Sequence, residues 1–169
     1  WLYYSKALLL SQLQQSEEAI KILISFVQKK RNDFWVWHAL AKVVGNSDPQ
    51  LALALCAKAC LTCNDPKYGV STFEDLSKLA ANQGHTALAK WAADQALKVR
   101  NQNQWKIPQS LRDLLNAGWY SRADNLINPQ DTLAHIAANA EKVIWANCPQ
   151  YPANYLGTFQ SKSGKNMVK

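Results

Sequence analysis

The sequence has little charge and no long apolar run, and none of its segments is predicted to be a signal peptide. Charged residues make up 18% of the 169 positions and hydrophobic residues 48%, a composition that favours a folded chain over a disordered one. No apolar stretch approaches the roughly 18 residues that a membrane-spanning helix needs, so no membrane partner is expected. Because the chain opens with Trp1 rather than Met, we expect a piece of a longer protein.

Cysteine is scarce and poorly placed for a disulfide framework. Three of the four cysteines, Cys56, Cys60 and Cys63, fall within eight residues of one predicted helix, and the fourth is Cys148. This placement suits reduced thiols in the core of a cytosolic protein, so we expect a cytoplasmic location. A straight helix cannot wrap three ligands around one zinc ion, and no motif supplies a fourth, so no metal site is predicted.

The sequence also lacks any recognisable set of catalytic residues. His38, His85 and His135 are scattered through the chain, with no carboxylate or nucleophile at a recognisable spacing. Residues 163–165 read Ser-Gly-Lys but lack the glycine-rich cradle of a phosphate loop before them. The sequence therefore predicts neither an enzyme nor a cofactor.

Acidic residues are absent from the end of the chain. Residues 1–141 hold 15 Lys/Arg and 12 Asp/Glu, whereas residues 142–169 hold four lysines and no acid. A basic tail attracts polyanions, which makes Lys162, Lys165 and Lys169 candidate nucleic-acid contacts. A merely solubilising surface segment is the alternative interpretation.

What the sequence does contain is one helix-pair pattern written three times. The large residues that head the copies, spaced by 34 and 36 residues, are Tyr3, Trp37 and Phe73. The small residues at the matching position of each second helix are Ala19, Ala52 and Ala89. A period near 34 residues is typical of a helix-turn-helix solenoid, whose units are each too small to bury their own apolar face. We expect the three large residues to lie in the core.

Local signals place the helix ends. Ser16 is predicted to cap the second helix of the first unit. Asp48 and Pro49 stand at the N-cap and first helical positions of the second unit's second helix. The segment that follows, residues 51–61, is apolar nearly all round, as expected for a helix that is covered on several sides.

Residues 1–102 resemble the tetratricopeptide repeat family. The positions that carry the resemblance are Trp37-x2-Leu40-Ala41, Gly84 in an inter-helix turn, Ala19/Ala52/Ala89 and Ala59/Ala96. Lys6 and Arg31 depart from the signature, which has leucine and proline there. The resemblance implies three helix pairs in an α-solenoid.

Beyond residue 102 the period is lost. Residues 103–147 are predicted to form a fourth, divergent helix pair that caps the end of the solenoid. One of its helices runs from Pro129 through Ile144. Residues 148–169 are predicted as a linker and a β-hairpin-like tail, with strands at 155–160 and 166–169 around a turn at 161–165. The whole is similar to bacterial tetratricopeptide proteins that carry a cold-shock- or S1-like β-barrel after the helices.

The resemblance also marks a concave groove, with one set of positions on the first helix of each unit. In the first unit these are Tyr4, Leu8 and Gln12. In the second they are Trp35, His38, Lys42 and Asn46, and in the third Glu74, Lys78 and Asn82. The lysines are suited to acidic groups of a peptide and the asparagines to its backbone. The family's chaperone-tail clamp is not expected, because Leu8 and Gln12 stand where it has lysine and asparagine.

The predicted function is a scaffold or adaptor that binds a protein segment or peptide in this groove. The alternative is a nucleic-acid-associated protein in which the repeats recruit partners and a C-terminal β-barrel contacts RNA or DNA. A solvated groove without a ligand remains open for each of these residues taken singly.

Overall fold

The computed structural model of the protein describes residues 2–146, 148–149, 158–160 and 166–168. The described residues form nine helices, which are α1 (Leu2–Gln12), α2 (Ser16–Lys29), α3 (Phe34–Val44), α4 (Pro49–Thr62), α5 (Val70–Asn82), α6 (Thr86–Gln102), α7 (Gln109–Leu115), α8 (Pro129–Ala137) and α9 (Ala140–Trp145). Two short strands, β1 (Thr158–Gln160) and β2 (Asn166–Val168), pair antiparallel with Phe159 opposite Met167. Apart from this strand pair, the described part of the chain is all-helical.

The first six helices pack as three consecutive pairs. Among these six helices, the closest packing joins α1 to α2, α3 to α4 and α5 to α6. Within each pair the connection is short, which places the two helices side by side in opposite directions. The second helix of one pair also packs against the first helix of the next, α2 on α3 and α4 on α5. Each pair therefore buries apolar surface both internally and against its neighbour.

Two turns show why the chain changes direction where it does. The Asp48 side chain accepts a hydrogen bond from the backbone N–H of Leu51 at 2.9 Å, and Pro49 begins α4, as predicted. Gly84 adopts a φ of 79° between α5 and α6, a conformation that favours glycine. The predicted cap at Ser16 is wrong, since Gln15 holds the N-cap position of α2 and its side chain makes no capping bond.

The repeated signature residues lie in the core, with one exception. Trp37 is fully buried, its indole N–H donates to the Arg31 carbonyl at 2.7 Å, and Phe73 is 6% exposed. The prediction for Tyr3 is wrong, because its side chain is 67% exposed. Among the described helices, α1 packs chiefly on α2 and α3, and the side of it that carries Tyr3 is exposed. Tyr4, one residue further round the helix, takes the inward position.

Helices α8 and α9 lie elsewhere than in the predicted cap. Helix α7 packs on α6 and α5, as a following element would, but α8 packs chiefly on α4, and α9 packs on α2 and α4. The physical reason lies in α4, whose residues 52–57 are all buried. A helix that is apolar on every side needs a cover beyond its own pair, and α8 provides it.

The helix predicted from Pro129 through Ile144 is interrupted, since α8 ends at Ala137 and α9 begins at Ala140. The interruption coincides with a change of packing partner, from α4 and α6 to α2 and α4. Polar contacts hold α9 in place: Lys58 pairs with Glu141 at 2.5 Å, and the Gln28 side-chain amide donates to the Ile144 carbonyl at 2.6 Å.

Two predictions, the absence of a membrane-spanning helix and the β-hairpin at the end of the chain, can be compared with the structure only for the residues that it describes. Among those residues, no helix combines the length and the hydropathy that crossing a bilayer requires. Residues 155–157 and 161–165 lie outside the described part, so the hairpin as a whole, and a β domain that it would begin, stay predictions.

The packing of α8 gives a first testable prediction. Leu133 on α8 is 1% exposed, so Leu133→Ala is expected to lower the free energy of unfolding by about 2–5 kcal/mol through lost burial and a residual cavity. Ile127, which precedes α8, is 88% exposed, and Ile127→Ala should change stability by less than about 0.5 kcal/mol. Urea denaturation of both variants measures the difference. Equal stabilities would contradict the docking of α8 on α4.

Candidate functional site

A groove runs across the first helices of the three pairs, and we name it the α1–α3–α5 groove. Its outer hollow, of about 480 Å³, is lined by Tyr4, Leu8, Ser11 and Gln12 of α1, by His38, Ala39, Lys42 and Val43 of α3, and by Ser71 of α5. Its inner hollow, of about 300 Å³, is lined by His38, Ala41, Lys42, Gly45 and Asn46, by Cys56, and by Asp75, Lys78, Leu79 and Asn82. His38 and Lys42 line both hollows, so the two are adjacent.

An imidazole–carboxylate pair crosses the inner hollow. His38 Nε2 on α3 lies 2.7 Å from Asp75 Oδ2 on α5. The His38 side chain is 12% exposed and the Asp75 side chain is 37% exposed. The pair therefore links the first helices of the second and third units from within the groove.

Positive charge dominates the electrostatics of this hollow. Burial acts to raise the pKa of Asp75, but the hydrogen bond from His38 and the charges of His38, Lys42 and Lys78 outweigh it, so the pKa of Asp75 is lowered. Asp75 is therefore a carboxylate at neutral pH. Lys42 and Lys78 are both exposed, and neither lies within salt-bridge distance of an acid in the described part of the chain. The rim of the hollow thus carries two cations above one anion.

Cys56 lines the inner hollow, but its environment does not suit a nucleophile. Its side chain is fully buried, and its thiol donates to the Thr72 carbonyl at 3.4 Å. Burial, followed by the nearby Cys60 and Asp75, raises the pKa of the Cys56 thiol well above its usual value. Only a thiolate attacks or ligates efficiently. The predicted packing role of the buried cysteines agrees with this environment.

Six of the eight residues predicted for the groove line it. Those six are Tyr4, His38, Lys42, Asn46, Lys78 and Asn82. Leu8 and Gln12, also marked by the resemblance, line the outer hollow. The two remaining residues, Trp35 and Glu74, line neither hollow and contact other parts of the protein.

Trp35 lies in an aromatic cluster at the end of the groove. Its ring packs edge-on against Tyr4, with centroids 5.1 Å apart, and lies 5.9 Å from the ring of Phe26. Offset and edge-to-face aromatic pairs of this kind add to the free energy of packing. Through Tyr4 the cluster positions one wall of the outer hollow.

Glu74 faces away from the groove. Its carboxylate accepts a hydrogen bond from Arg100 Nε at 2.6 Å, and the two side chains are only 15% and 17% exposed. Arg100 also donates to the Lys106 carbonyl at 2.9 Å. The pair therefore ties α5 to the end of α6 and to the segment that follows it, a structural task.

The groove acid that sequence reasoning missed is Asp75. Positions at intervals of four residues, 74, 78 and 82, drift around a helix with 3.6 residues per turn. The positions that share the groove face are 75, 78, 79 and 82, the spacing typical of one helix stripe. Extending that stripe back from Lys78 by three residues would have identified Asp75.

The other predicted sites lie outside this groove. Lys162, Lys165 and Lys169 fall outside the described residues, so the nucleic-acid assignment stays a prediction. Within the described ranges, no group of three or more His, Cys, Asp or Glu side chains is arranged to hold a metal ion.

Residues 1–140 match the family described as a domain of unknown function, DUF7017. The chain belongs to this family. No curated protein matches the sequence. The DUF7017 match includes the whole α1–α3–α5 groove and also α7 and α8, whereas β1 and β2 lie beyond it. The helix that covers α4 is therefore part of the same family region as the groove.

The His38–Asp75 pair predicts a dependence of stability on pH. Because the pKa of Asp75 is lowered by folding, the pair stabilises the protein above the usual aspartate pKa, and this contribution is lost as pH falls through the lower, folded value. The stability advantage of the wild type over Asp75→Asn should therefore shrink between about pH 5 and pH 3. Asp124 is exposed, and Asp124→Asn should show no comparable change in urea denaturation. A constant difference for Asp75→Asn would contradict the lowered pKa.

The Glu74–Arg100 pair predicts a separation of stability from binding. Glu74→Gln removes the charge that faces a mostly buried guanidinium, and should lower the free energy of unfolding by about 2 kcal/mol. Thermal or urea denaturation measures this loss. Binding of any ligand in the α1–α3–α5 groove should be unchanged in the folded variant. If Glu74→Gln instead kept wild-type stability and bound the ligand less tightly, Glu74 would have a binding role rather than a structural one.

Proposed function

We propose that this domain is a tetratricopeptide-like solenoid whose α1–α3–α5 groove binds an extended, acidic segment of another protein. It acts as a scaffold or adaptor. The proposal combines the repeat pattern of the sequence with the three packed helix pairs and the groove across their first helices. In such an arrangement an extended chain contacts every unit in turn.

The observation that carries the proposal is a repeated pair of polar side chains on facing helices. Lys42 and Asn46 are four residues apart on α3, Lys78 and Asn82 are four residues apart on α5, and all four line the inner hollow. Residues four apart share a helix face. Two ammonium groups and two amides therefore converge on one hollow, which suits carboxylates together with backbone amides.

The charge balance of the groove selects the occupant. Of the described residues, Asp75 is the one acid that lines either hollow, and one of its oxygens already bonds to His38. The exposed lysines would repel a basic segment and attract an acidic one. Apolar side chains of the segment would contact Leu8 and Tyr4 in the outer hollow.

Binding by this groove requires no chemistry from the protein. Helices that are already packed lose little conformational entropy when a segment binds, so most of the ordering cost falls on the ligand. No catalytic role or cofactor is part of the proposal. A cytoplasmic location is part of it, and the free thiols of the four cysteines are consistent with that location.

A peptide titration tests the proposal. The probe is a panel of fluorescein-labelled decapeptides with five glutamates in different arrangements, measured by fluorescence polarisation at low ionic strength. The double variant Lys42→Glu/Lys78→Glu should weaken the best binder by at least about tenfold, or 1.4 kcal/mol. Lys98 is exposed on α6, and Lys98→Glu serves as the matched charge reversal with little expected effect.

Two control ligands set the limits of the proposal. Peptides with glutamine in place of glutamate should bind more weakly than their acidic partners. A single-stranded oligonucleotide tests the alternative function in nucleic-acid association, for which the basic end of the chain and the β1–β2 pair are the supporting features. If no acidic peptide binds while the oligonucleotide binds with a steep salt dependence, the alternative replaces the groove proposal.

A further inference from the structure

His38 occupies the junction of the groove, where the outer and inner hollows meet. Its side chain is 88% buried by the surrounding helices, since 12% of its surface is exposed. Imidazole is the side chain whose unperturbed titration falls between about pH 5 and 8. The other two histidines, His85 and His135, line a separate hollow beside α4 and α8. Among the described residues that line the groove, His38 is the one histidine.

The charged and titratable groups around His38 come from four helices. Near neutral pH the charge of these groups does not change. Asp75 on α5 is ionised, because its pKa is lowered. Lys42 on α3 and Lys78 on α5 are cations. Cys56 on α4 stays a neutral thiol, and Tyr4 on α1 stays a neutral phenol, because burial raises the pKa of each. Among the side-chain types in the described part of the groove, imidazole is therefore the one whose ordinary titration range includes neutral pH.

The hydrogen bond to Asp75 decides what the other ring nitrogen offers. A carboxylate only accepts, so Nε2 must carry a proton to bond with Asp75 Oδ2. In the neutral ring, Nδ1 is then an acceptor, which suits a backbone N–H but repels a carboxylate. In the protonated ring, Nδ1 becomes a second donor and the ring becomes a cation. Within the described part of the chain, Nδ1 has no hydrogen-bond partner.

We propose that binding of an acidic segment in the α1–α3–α5 groove is coupled to the uptake of one proton by His38. This inference rests on the proposed function and adds its regulation. A carboxylate near Lys42 and Lys78 offsets their repulsion of a charged imidazole and accepts a hydrogen bond from Nδ1. Asp75 acts as a positioning residue, because it fixes the ring across the groove and holds the proton on Nε2.

Linkage sets the size of the effect. The uptake of one proton on binding makes affinity rise by at most about tenfold for each unit by which pH falls. The glutamates of the ligand stay ionised over this range, because their usual pKa is near 4.3. The direction is fixed: affinity rises as pH falls.

The test measures the best acidic decapeptide from the panel at a series of pH values between about 6 and 8 at constant ionic strength. The wild type should bind several-fold to about tenfold more tightly at the lower end. His38→Gln, which keeps a polar side chain without titrating, should lose this dependence and bind at the level of the neutral wild type. The double variant His85→Gln/His135→Gln should keep the dependence in full.

Calorimetry on the wild type alone keeps the proposal testable if His38→Gln does not fold. Titrations at about pH 7 in two buffers of different ionisation enthalpy report the protons taken up on binding, and a net uptake is expected. Peptide binding with equal affinity across the pH range and no proton uptake would overturn the coupling and leave the proposed function standing. Failure of every acidic peptide to bind at any pH would overturn both.

Discussion

The fold depends on the burial of α4, a helix that has almost no polar face. Its residues 52–57 are all buried, and contact with α3 and α5 alone would leave part of that surface in water. Helix α8 packs along it, and α9 reaches both α4 and α2. The second helices are thereby covered by the chain itself. The first helices α1, α3 and α5 form a groove with a polar rim, and the proposed function places recognition there.

The repeat pattern predicts much of this architecture because it follows from local packing. Trp37, Phe73 and the small residues Ala19, Ala52 and Ala89 are buried as their spacing indicates, and Asp48 with Pro49 begins α4 as predicted. Prediction fails where long-range packing decides. Tyr3 is exposed because no element in the described part of the chain covers that side of α1. The position of α8 depends on a surface of α4, residues 52–57, that lies far earlier in the chain.

In the groove, too, the repeat pattern predicts some residues and misses others. Lys42, Asn46, Lys78 and Asn82 could be assigned because they repeat at one helix position in two units. Asp75 has no counterpart of the same chemistry in the second unit, where Ala39 stands at the matching position, so a search for repetition passes over it. Glu74, its neighbour in sequence, pairs with Arg100 instead. A shift of one residue, about 100° around the helix, separates a structural acid from a groove acid.

Asp75, which departs from the repeat pattern, also sets how the proposed site responds to pH. A groove with only lysines and asparagines would hold a permanent positive charge and respond to salt but hardly to pH near neutrality. Asp75 changes this, because its carboxylate holds the His38 imidazole in a hydrogen bond, in a hollow that Lys42 and Lys78 also line. The imidazole then shares its environment with any acid that binds there. Under the proposed function, the charge of ligand and protein must therefore be considered together, since each favours the other.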